Sequence, residues 1–205
     1  MIAKDTRTPA DPAPLAFGAF ALTTFLLSCV NAGIIGVGFL PAVVATAWFF
    51  GGIIQVLVAM WELSHDRLFP AVAFGSYGAF WLSFAVFQTF YAAKVPPSMA
   101  GSTNALFLGV WCVITLYLLI GSFRTHRALA IAFILVEVML IPLTIGFANG
   151  SHGAIVFGGW AGIALALVVW YIAAAEVINH QFGRVVLPLG HFDKTQTRSE
   201  LPHSA

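Results

Sequence analysis

Six apolar runs dominate this sequence and restrict the folds open to it. Each is long enough to cross the hydrocarbon core of a bilayer as an α-helix, which takes about 20 residues. The chain is 60% hydrophobic and 8% charged, whereas a soluble domain carries about 25% charged residues. We predict an all-α integral membrane protein whose six transmembrane helices form a compact bundle enclosing a pore, with helices at 14–35, 40–63, 68–91, 104–123, 128–148 and 155–179.

The polar ends of the chain lie outside this bundle. Residues 1–12 are expected to form a cytoplasmic N-terminal segment, residues 13–190 the transmembrane domain, and residues 191–205 a disordered cytoplasmic tail. Polar segments bury too little apolar surface to offset the entropy of ordering them. The first segment lacks the apolar core of a cleavable signal sequence, so we expect the first helix to act as its own insertion signal.

Lysine and arginine residues indicate how the bundle is oriented. Of the nine such residues, only Lys94 falls on one side of the membrane, and the rest share the other side. Cytoplasmic loops carry the excess of these residues. Both termini are therefore predicted to be cytoplasmic. We expect the protein in a bacterial inner (plasma) membrane because the chain is compact and has no targeting extension.

Residues for catalysis or cofactor binding are scarce within the spans. The six histidines lie at span ends, in loops or in the tail, so no bis-histidine haem site is predicted. No Cys/His metal-binding pattern or Ser/His/Asp arrangement falls on a span. Cys29 and Cys112 are typical of small buried side chains. A net charge of +1 gives no sign of nucleic-acid binding. We therefore predict neither an enzyme nor a cofactor or metal site.

Polar residues inside apolar helices are the remaining candidates for function, because each is costly in lipid. They are Asn31, Gln55, Tyr77, Gln88, Asn104 and Glu137. No lysine or arginine lies deep in a span, which suits a small neutral solute or an anion that gains a proton. The residues alone thus indicate a channel or transporter for a small, weakly polar solute.

Three glutamates in the spans differ in depth. Glu137 lies close to the membrane midplane, where a carboxyl group is a functional-site hypothesis by default. It is either a proton-coupling group or a protonated side chain bonded to a neighbouring helix. Glu62 and Glu176 lie nearer the ends of their spans, where ion pairs with Arg67 and Arg184 are the favoured expectation.

Short motifs along the chain resemble those of the acetate uptake transporter family. They follow the family's order from about residue 11 to 190: DPAPL at 11–15, FFGGIIQ at 49–55, SYGAFW at 76–81, NALFLG at 104–109, EVIN at 176–179, FGR at 182–184 and VLPLG at 186–190. The first motif departs from the family's NPAPLG at Asp11 and Ala16. Each motif is weak by itself, and their ordered set carries the resemblance.

The resemblance implies a homohexamer in which each six-helix protomer has its own pore. It implies transport of acetate and related short-chain carboxylates, including succinate, either coupled to protons or channel-like. It also implies a constriction of a Phe, a Tyr and a Leu, at positions occupied here by Phe20, Tyr77 and Val136. Valine is smaller than leucine, so we expect a wider constriction. Glu137 is not part of the family's pattern and is a candidate for altered proton coupling.

These residues give a hypothesis for the substrate pathway. Gln55 and Asn104 would supply amide donors, and Tyr77 a hydroxyl donor, that replace part of the hydration shell of acetate. Asn31 is assigned to the same pathway. Apolar side chains would form a sleeve for the methyl group; they are Phe20, Trp81 and Val136. Acetate would then cross protonated or as an anion on transient hydrogen bonds.

Two other functions stay open at this point. A urea or small-amide channel also forms hexamers of six-helix protomers. A structural or sensory membrane protein would have the same helices without flux, and an unbroken apolar plug in the bundle would favour it.

Overall fold

The computed structural model describes residues 10–190 and 192. They form six helices long and apolar enough to cross a membrane: α1 (Ala13–Asn31), α2 (Val37–Ser64), α3 (Leu68–Lys94), α4 (Pro97–Ser122), α5 (Arg127–Asn149) and α6 (His152–Phe182). The six predicted spans are thereby confirmed. Most of the predicted N-terminal segment, and the predicted tail apart from Phe192, lie outside the described residues.

The start of α4 is the largest departure from the predicted boundaries. The helix begins at Pro97 and not at Asn104, so only Val95 and Pro96 separate it from α3. The polar residues after Pro97 favoured a loop from 92 to 103, and that expectation was wrong. Proline is favoured in the first turn of a helix, because its fixed φ suits the helix and its missing N–H would have no partner there.

The helices pack in a ring around the interior. α1 packs against α6, α6 against α5 and α5 against α4, while α2 packs against α1 and α3. The backbones of α3 and α4 approach each other less closely, and aromatic side chains fill the space between them. The ring of Phe80 on α3 lies 5.5 Å from that of Phe107 and 5.1 Å from that of Trp111, both on α4.

Small residues allow the closest helix crossings. A methyl group added to Gly159 on α6 would lie 2.7 Å from the Cα of Ala32, at the end of α1. One added to Gly51 on α2 would lie 2.6 Å from the Thr23 hydroxyl on α1. These glycines let α1 approach both neighbours closely, as small residues do in membrane bundles.

α2 is not a regular α-helix along its whole length. Residues Ala47–Ile54 form π-helical turns, in which each N–H bonds five residues back. Regular α-helix resumes at Gln55, whose own N–H bonds to the Gly52 carbonyl. The Gln55 side chain bonds to the carbonyl of the residue before Gly52: its Nε2 donates a hydrogen bond to the Gly51 oxygen at 2.6 Å. The π-helical turns thus set where Gln55 lies.

An ion-pair chain ties the start of α1 to the corner between α2 and α3. Asp11 Oδ1 accepts a hydrogen bond from the Ala13 N–H at 2.9 Å, and its Oδ2 lies 2.7 Å from Arg67. Arg67 Nε lies 2.6 Å from Oε2 of buried Glu62, which confirms the expected ion pair. The carboxylate of Asp11 therefore gives Arg67 a second acidic partner beside Glu62.

The segment after α6 folds back and caps the start of α5. The carbonyls of Gly190 and Leu189 accept hydrogen bonds from the N–H groups of Arg127 (2.8 Å) and Ala128 (3.2 Å). Asn179 holds the segment: its Nδ2 donates to the Leu187 carbonyl at 2.8 Å, and its Oδ1 accepts from two backbone N–H groups at 2.7 and 2.9 Å.

Asn179→Ala is expected to destabilise the protein by about 2–3 kcal/mol, because it removes three hydrogen bonds that hold the closing segment. Asn179→Asp keeps the acceptor oxygen and should lose less. Gln181→Ala, at an exposed position on the same helix, is the control. Thermal unfolding in detergent measures the series, and equal melting temperatures in all three variants would contradict this role.

Candidate functional site

Two cavities follow one another inside the bundle. The first, about 200 Å³, lies toward the end where α1 begins and reaches Ala13, Pro70 and Glu176. The second, about 40 Å³, lies toward the end where α1 finishes and reaches Asn31. We call them the large cavity and the small cavity. The interior therefore contains space on both sides of the middle of the bundle.

Three side chains line both cavities and separate them: Phe20 from α1, Tyr77 from α3 and Val136 from α5. We call them the septum. The rings of Phe20 and Tyr77 meet edge to face with centroids 5.2 Å apart. The Tyr77 hydroxyl lies 2.9 Å from Oγ1 of Thr115 on α4, within hydrogen-bonding distance. Three helices thus bring together the three residues that the resemblance assigned to a constriction.

The large cavity is mostly apolar, and its unpaired polar atoms are acceptors. Gln55 is fully buried and lines this cavity. Its Nε2 already donates to Gly51, and its Oε1 has no hydrogen-bond partner among the described residues. The same holds for Oε2 of Glu176, which lines the same cavity. The unpaired group of Gln55 is therefore its oxygen, whereas the sequence hypothesis assigned it the role of a donor.

The small cavity contains two of the predicted pathway residues, Asn31 and Trp81. The sequence hypothesis placed Trp81 in an apolar sleeve. Its ring does line the cavity, beside Leu108 and Leu140, but its indole Nε1 has no hydrogen-bond partner in the part of the chain that the structure describes. The side chain therefore brings an unpaired donor as well as an apolar surface.

Two predicted residues lie away from both cavities. Asn104, near the start of α4, lines neither cavity. Glu137 also lines neither, and its carboxyl group interacts with Cys112 on α4. Glu137 thus lies at the interface of α4 and α5, next to the septum in sequence but on another face of its helix. Its role in proton coupling stays a prediction.

Sequence reasoning missed several lining residues, among them Glu176 and Thr24. Glu176 was expected in an ion pair with Arg184, and no such pair forms within the described residues; Glu176 instead borders the large cavity with His126. Thr24 lines the small cavity. Periodicity around the septum residue Phe20 could have found Thr24, since residues four apart share a helix face.

Across residues 10–190 and 192, no group of three or more His, Cys, Asp or Glu side chains is arranged to hold a metal ion.

Comparison with known proteins places this architecture in a family. The model of the GPR1/FUN34/yaaH family matches residues 1–194. The chain belongs to this family. The resemblance drawn from the motifs is thereby confirmed.

Members of the GPR1/FUN34/yaaH family with assigned functions resemble the chain over most of its length. It is 34% identical over 181 residues to the succinate-acetate/proton symporter SatP of Escherichia coli, covering 88% of this chain and 95% of that protein. It is 31% identical over 208 residues to acetate permease A of Emericella nidulans, covering 94% of this chain and 70% of that protein.

A solved structure from the family shares the fold. The bacterial acetate channel SatP matches with a TM-score of 0.84 at 33% identity, covering 89% of this chain and 100% of that chain. The predicted all-α bundle is confirmed by this match, and the chain is an integral membrane protein.

Proposed function

We propose that this protein carries acetate and related short-chain carboxylates, including succinate, across a membrane, and that it acts as a transporter or channel and not as an enzyme. The observation that carries the proposal is the septum between two cavities on one interior path. Within the described part of the chain, a solute that moves from one cavity to the other passes the three septum side chains, each carried by a different helix. The names of the relatives support carboxylates as the solutes.

The chemistry of the cavities suits a short organic acid. A cavity needs a volume of about 10–15 Å³ to hold one water molecule. The large cavity, at about 200 Å³, therefore has room for an acid of several carbons together with water. Aromatic and aliphatic walls favour its alkyl part. Moving an isolated ionised carboxylate into an apolar environment is costly, so we propose that the acid is protonated before it passes the septum.

The coupling proton needs a group that can exchange it with the substrate. We propose Glu176 for this role, because its carboxyl group borders the large cavity and its Oε2 is unpaired in the described chain. Glu137 is the second candidate, with its carboxyl group beside Cys112. Substitution of each glutamate decides between the two sites.

We also propose a homohexamer with both termini in the cytoplasm, in a bacterial plasma membrane. Orientation is supported by the one-sided distribution of lysine and arginine. The outward face of α4 offers an apolar stripe for lipid or a neighbouring protomer, including Leu106, Val113 and Ile120, each more than half exposed. Native mass spectrometry of the detergent-solubilised protein tests the oligomer.

Uptake into proteoliposomes tests the proposed transport. Radiolabelled acetate is expected to enter faster than in protein-free liposomes, and faster still under an inward proton gradient. Tyr77→Ala and Gln55→Ala should change the rate, because the first opens the septum and the second removes the unpaired acceptor. Labelled urea is the comparison solute. Absent acetate uptake, urea uptake that exceeds it, or unchanged rates in both variants would overturn the proposal.

Glu176→Gln is expected to flatten the dependence of acetate uptake on pH, since glutamine cannot exchange a proton. Asp11 and Glu62 interact electrostatically with Glu176, and His126 lines the same cavity; these groups remain in the variant. Glu137→Gln is the matched control and should keep the wild-type profile. The opposite pattern would assign coupling to Glu137. Uptake measured from pH 5 to 8 gives the answer.

A further inference from the structure

The hydroxyl group of the septum residue Tyr77 is bonded to a helix outside the interior path. It lies 2.9 Å from Oγ1 of Thr115 on α4, and both side chains are buried. Tyr77 lines both cavities, whereas Thr115 lines neither. The ring of Tyr77 therefore borders the path, while its hydroxyl is held by a residue that a solute in either cavity does not meet.

Thr115 differs from two other threonines of the bundle in how it uses its hydroxyl. Thr23 and Thr89 donate to the carbonyls four residues earlier in their own helices, at 2.9 and 2.7 Å, which is a common bond for a threonine inside a helix. Among the described residues, Thr115 forms no such bond, and its hydrogen-bond partner is Tyr77. The hydroxyl of Thr115 thus serves another helix and not its own.

The other contacts of the Tyr77 ring are aromatic. Its centroid lies 5.2 Å from that of Phe20 on α1 and 6.3 Å from that of Phe133 on α5. Aromatic pairs accept a range of separations and angles, whereas a hydrogen bond restricts both distance and direction. The bond to Thr115 is therefore the contact that fixes where the end of the ring lies.

Tyr77 has room to move if this bond breaks. The large cavity, about 200 Å³, lies directly beside its ring. The backbones of α3 and α4 approach each other less closely than the other neighbouring helices do, so the side chains of Tyr77 and Thr115 have to bridge the space between them. A buried hydroxyl without a partner is unfavourable, and the bond therefore opposes rotation of the ring out of the septum.

We propose that Thr115 is a positioning residue: it holds the ring of Tyr77 in the septum and thereby limits the size of the acid that passes. The inference rests on the proposed transport of carboxylates and adds a residue that acts on selectivity without touching the solute. Loss of the Thr115 hydroxyl frees the end of the ring, so larger acids gain more than acetate does.

Two substitutions at position 115 separate the hydroxyl from the volume of the side chain. Thr115→Val keeps the shape and removes the hydroxyl, and is expected to raise the ratio of propionate to acetate uptake into proteoliposomes by about fivefold. Thr115→Ser keeps the hydroxyl and should retain the wild-type ratio. A packing role would give the opposite order, because serine leaves a methyl-sized space and valine does not.

A double-mutant cycle tests whether Thr115 acts through Tyr77. Tyr77→Phe removes the other partner of the bond and should also raise the uptake ratio. Thr115→Val should add nothing in the Tyr77→Phe background, because the bond is already absent and the two changes are then not additive. Thr23→Val is the control, since that buried hydroxyl is bonded within its own helix, and it should keep the wild-type ratio.

NMR of the full-length protein in nanodiscs, with tyrosine labelled with ¹³C at Cζ, observes the bond without any solute. Four tyrosines give four signals, and Tyr77→Phe identifies that of Tyr77. Because Cζ carries the hydroxyl, its signal should move in Thr115→Val and stay in place in Thr115→Ser and Thr23→Val. If Thr115→Val does not fold, Tyr77→Phe still tests the bond by its uptake ratio.

The outcomes distinguish the role of Thr115 from transport itself. An unchanged uptake ratio in Thr115→Val, a serine variant that behaves like the valine variant, additive effects in the cycle, or an unmoved Tyr77 signal would overturn the role of Thr115 and leave acetate transport standing. Wild-type protein that carries neither acid would reject the proposed function and the selectivity with it. A Tyr77 signal that moves in Thr115→Val would still support the positioning of Tyr77 by Thr115 in that case.

Discussion

Val136→Phe is expected to lower acetate uptake by about tenfold or more, because a ring at this position fills the septum that a permeating solute must pass. Val136 is 4% exposed and lines both cavities. The larger side chain has little space to move aside, since Phe20 and Tyr77 already meet there. Uptake into proteoliposomes at saturating acetate measures the effect.

Val138→Phe provides the matched control on the same helix. Val138 is 38% exposed and lies about 200° around the helix from Val136, so a ring there faces outward. Its uptake should equal that of the wild type. If both variants lose uptake equally, the effect belongs to helix packing and the septum is not a barrier to flux.

Val136→Leu tests selectivity at the same position. Leucine adds one methylene and gives the residue implied by the family resemblance. Acetate should still pass, whereas propionate and longer acids should slow, because each added carbon must cross a narrower opening. The ratio of propionate to acetate uptake is the readout, and a ratio that rises would contradict the size argument.

Gly159→Ala is expected to destabilise the bundle by about 2–3 kcal/mol. The added methyl group would lie 2.7 Å from the Cα of Ala32, so α1 and α6 must move apart along the crossing that encloses the interior. Without that contact, alanine within a helix is favoured over glycine by about 0.5–1 kcal/mol. The contact with Ala32 therefore makes the substitution destabilising, whereas alanine without that contact would raise the stability.

Gly153→Ala on the same helix serves as the control, since a methyl group there meets nothing within 4 Å. Thermal unfolding in detergent, followed by tryptophan fluorescence, should show Gly159→Ala melting lower by about 5 °C or more and Gly153→Ala melting no lower than the wild type. A wild-type melting temperature for Gly159→Ala would show that α1 and α6 do not depend on this close approach.

Helix number and position were predictable because apolar length is a strong signal in a membrane protein. The start of α4 was not, because Ser98, Gly101 and Ser102 have the composition of a loop even though Pro97 suits a first turn. The π-helical turns of α2 also left no signal in hydrophobic periodicity. Local backbone hydrogen bonding determines both the start of α4 and the π-helical turns of α2.

The septum was predicted through resemblance, and no pattern in the residues alone would have joined positions 20, 77 and 136. Asn104 and Glu137 attracted attention as polar residues in apolar spans, yet neither lines a cavity. Thr23 and Thr24 are identical in type and adjacent, yet the Thr23 hydroxyl donates to the Ala19 carbonyl at 2.9 Å while the Thr24 hydroxyl has no partner within the described residues. Only packing distinguishes the two. The packing of all six helices together determines which face of each helix turns inward, and the sequence of one helix does not reveal it.

The π-helical stretch at Ala47–Ile54 restricts the insertions and deletions that α2 can accept. Each residue turns an α-helix by about 100°, so a one-residue deletion that restored regular turns would rotate Gln55 by that angle, away from the large cavity. Surface loops tolerate added or lost residues. In α2, by contrast, we expect insertions and deletions to be excluded even where substitutions are accepted. Gly51 contacts α1 and Gln55 lines the large cavity. The number of residues between them fixes which side chain faces the interior.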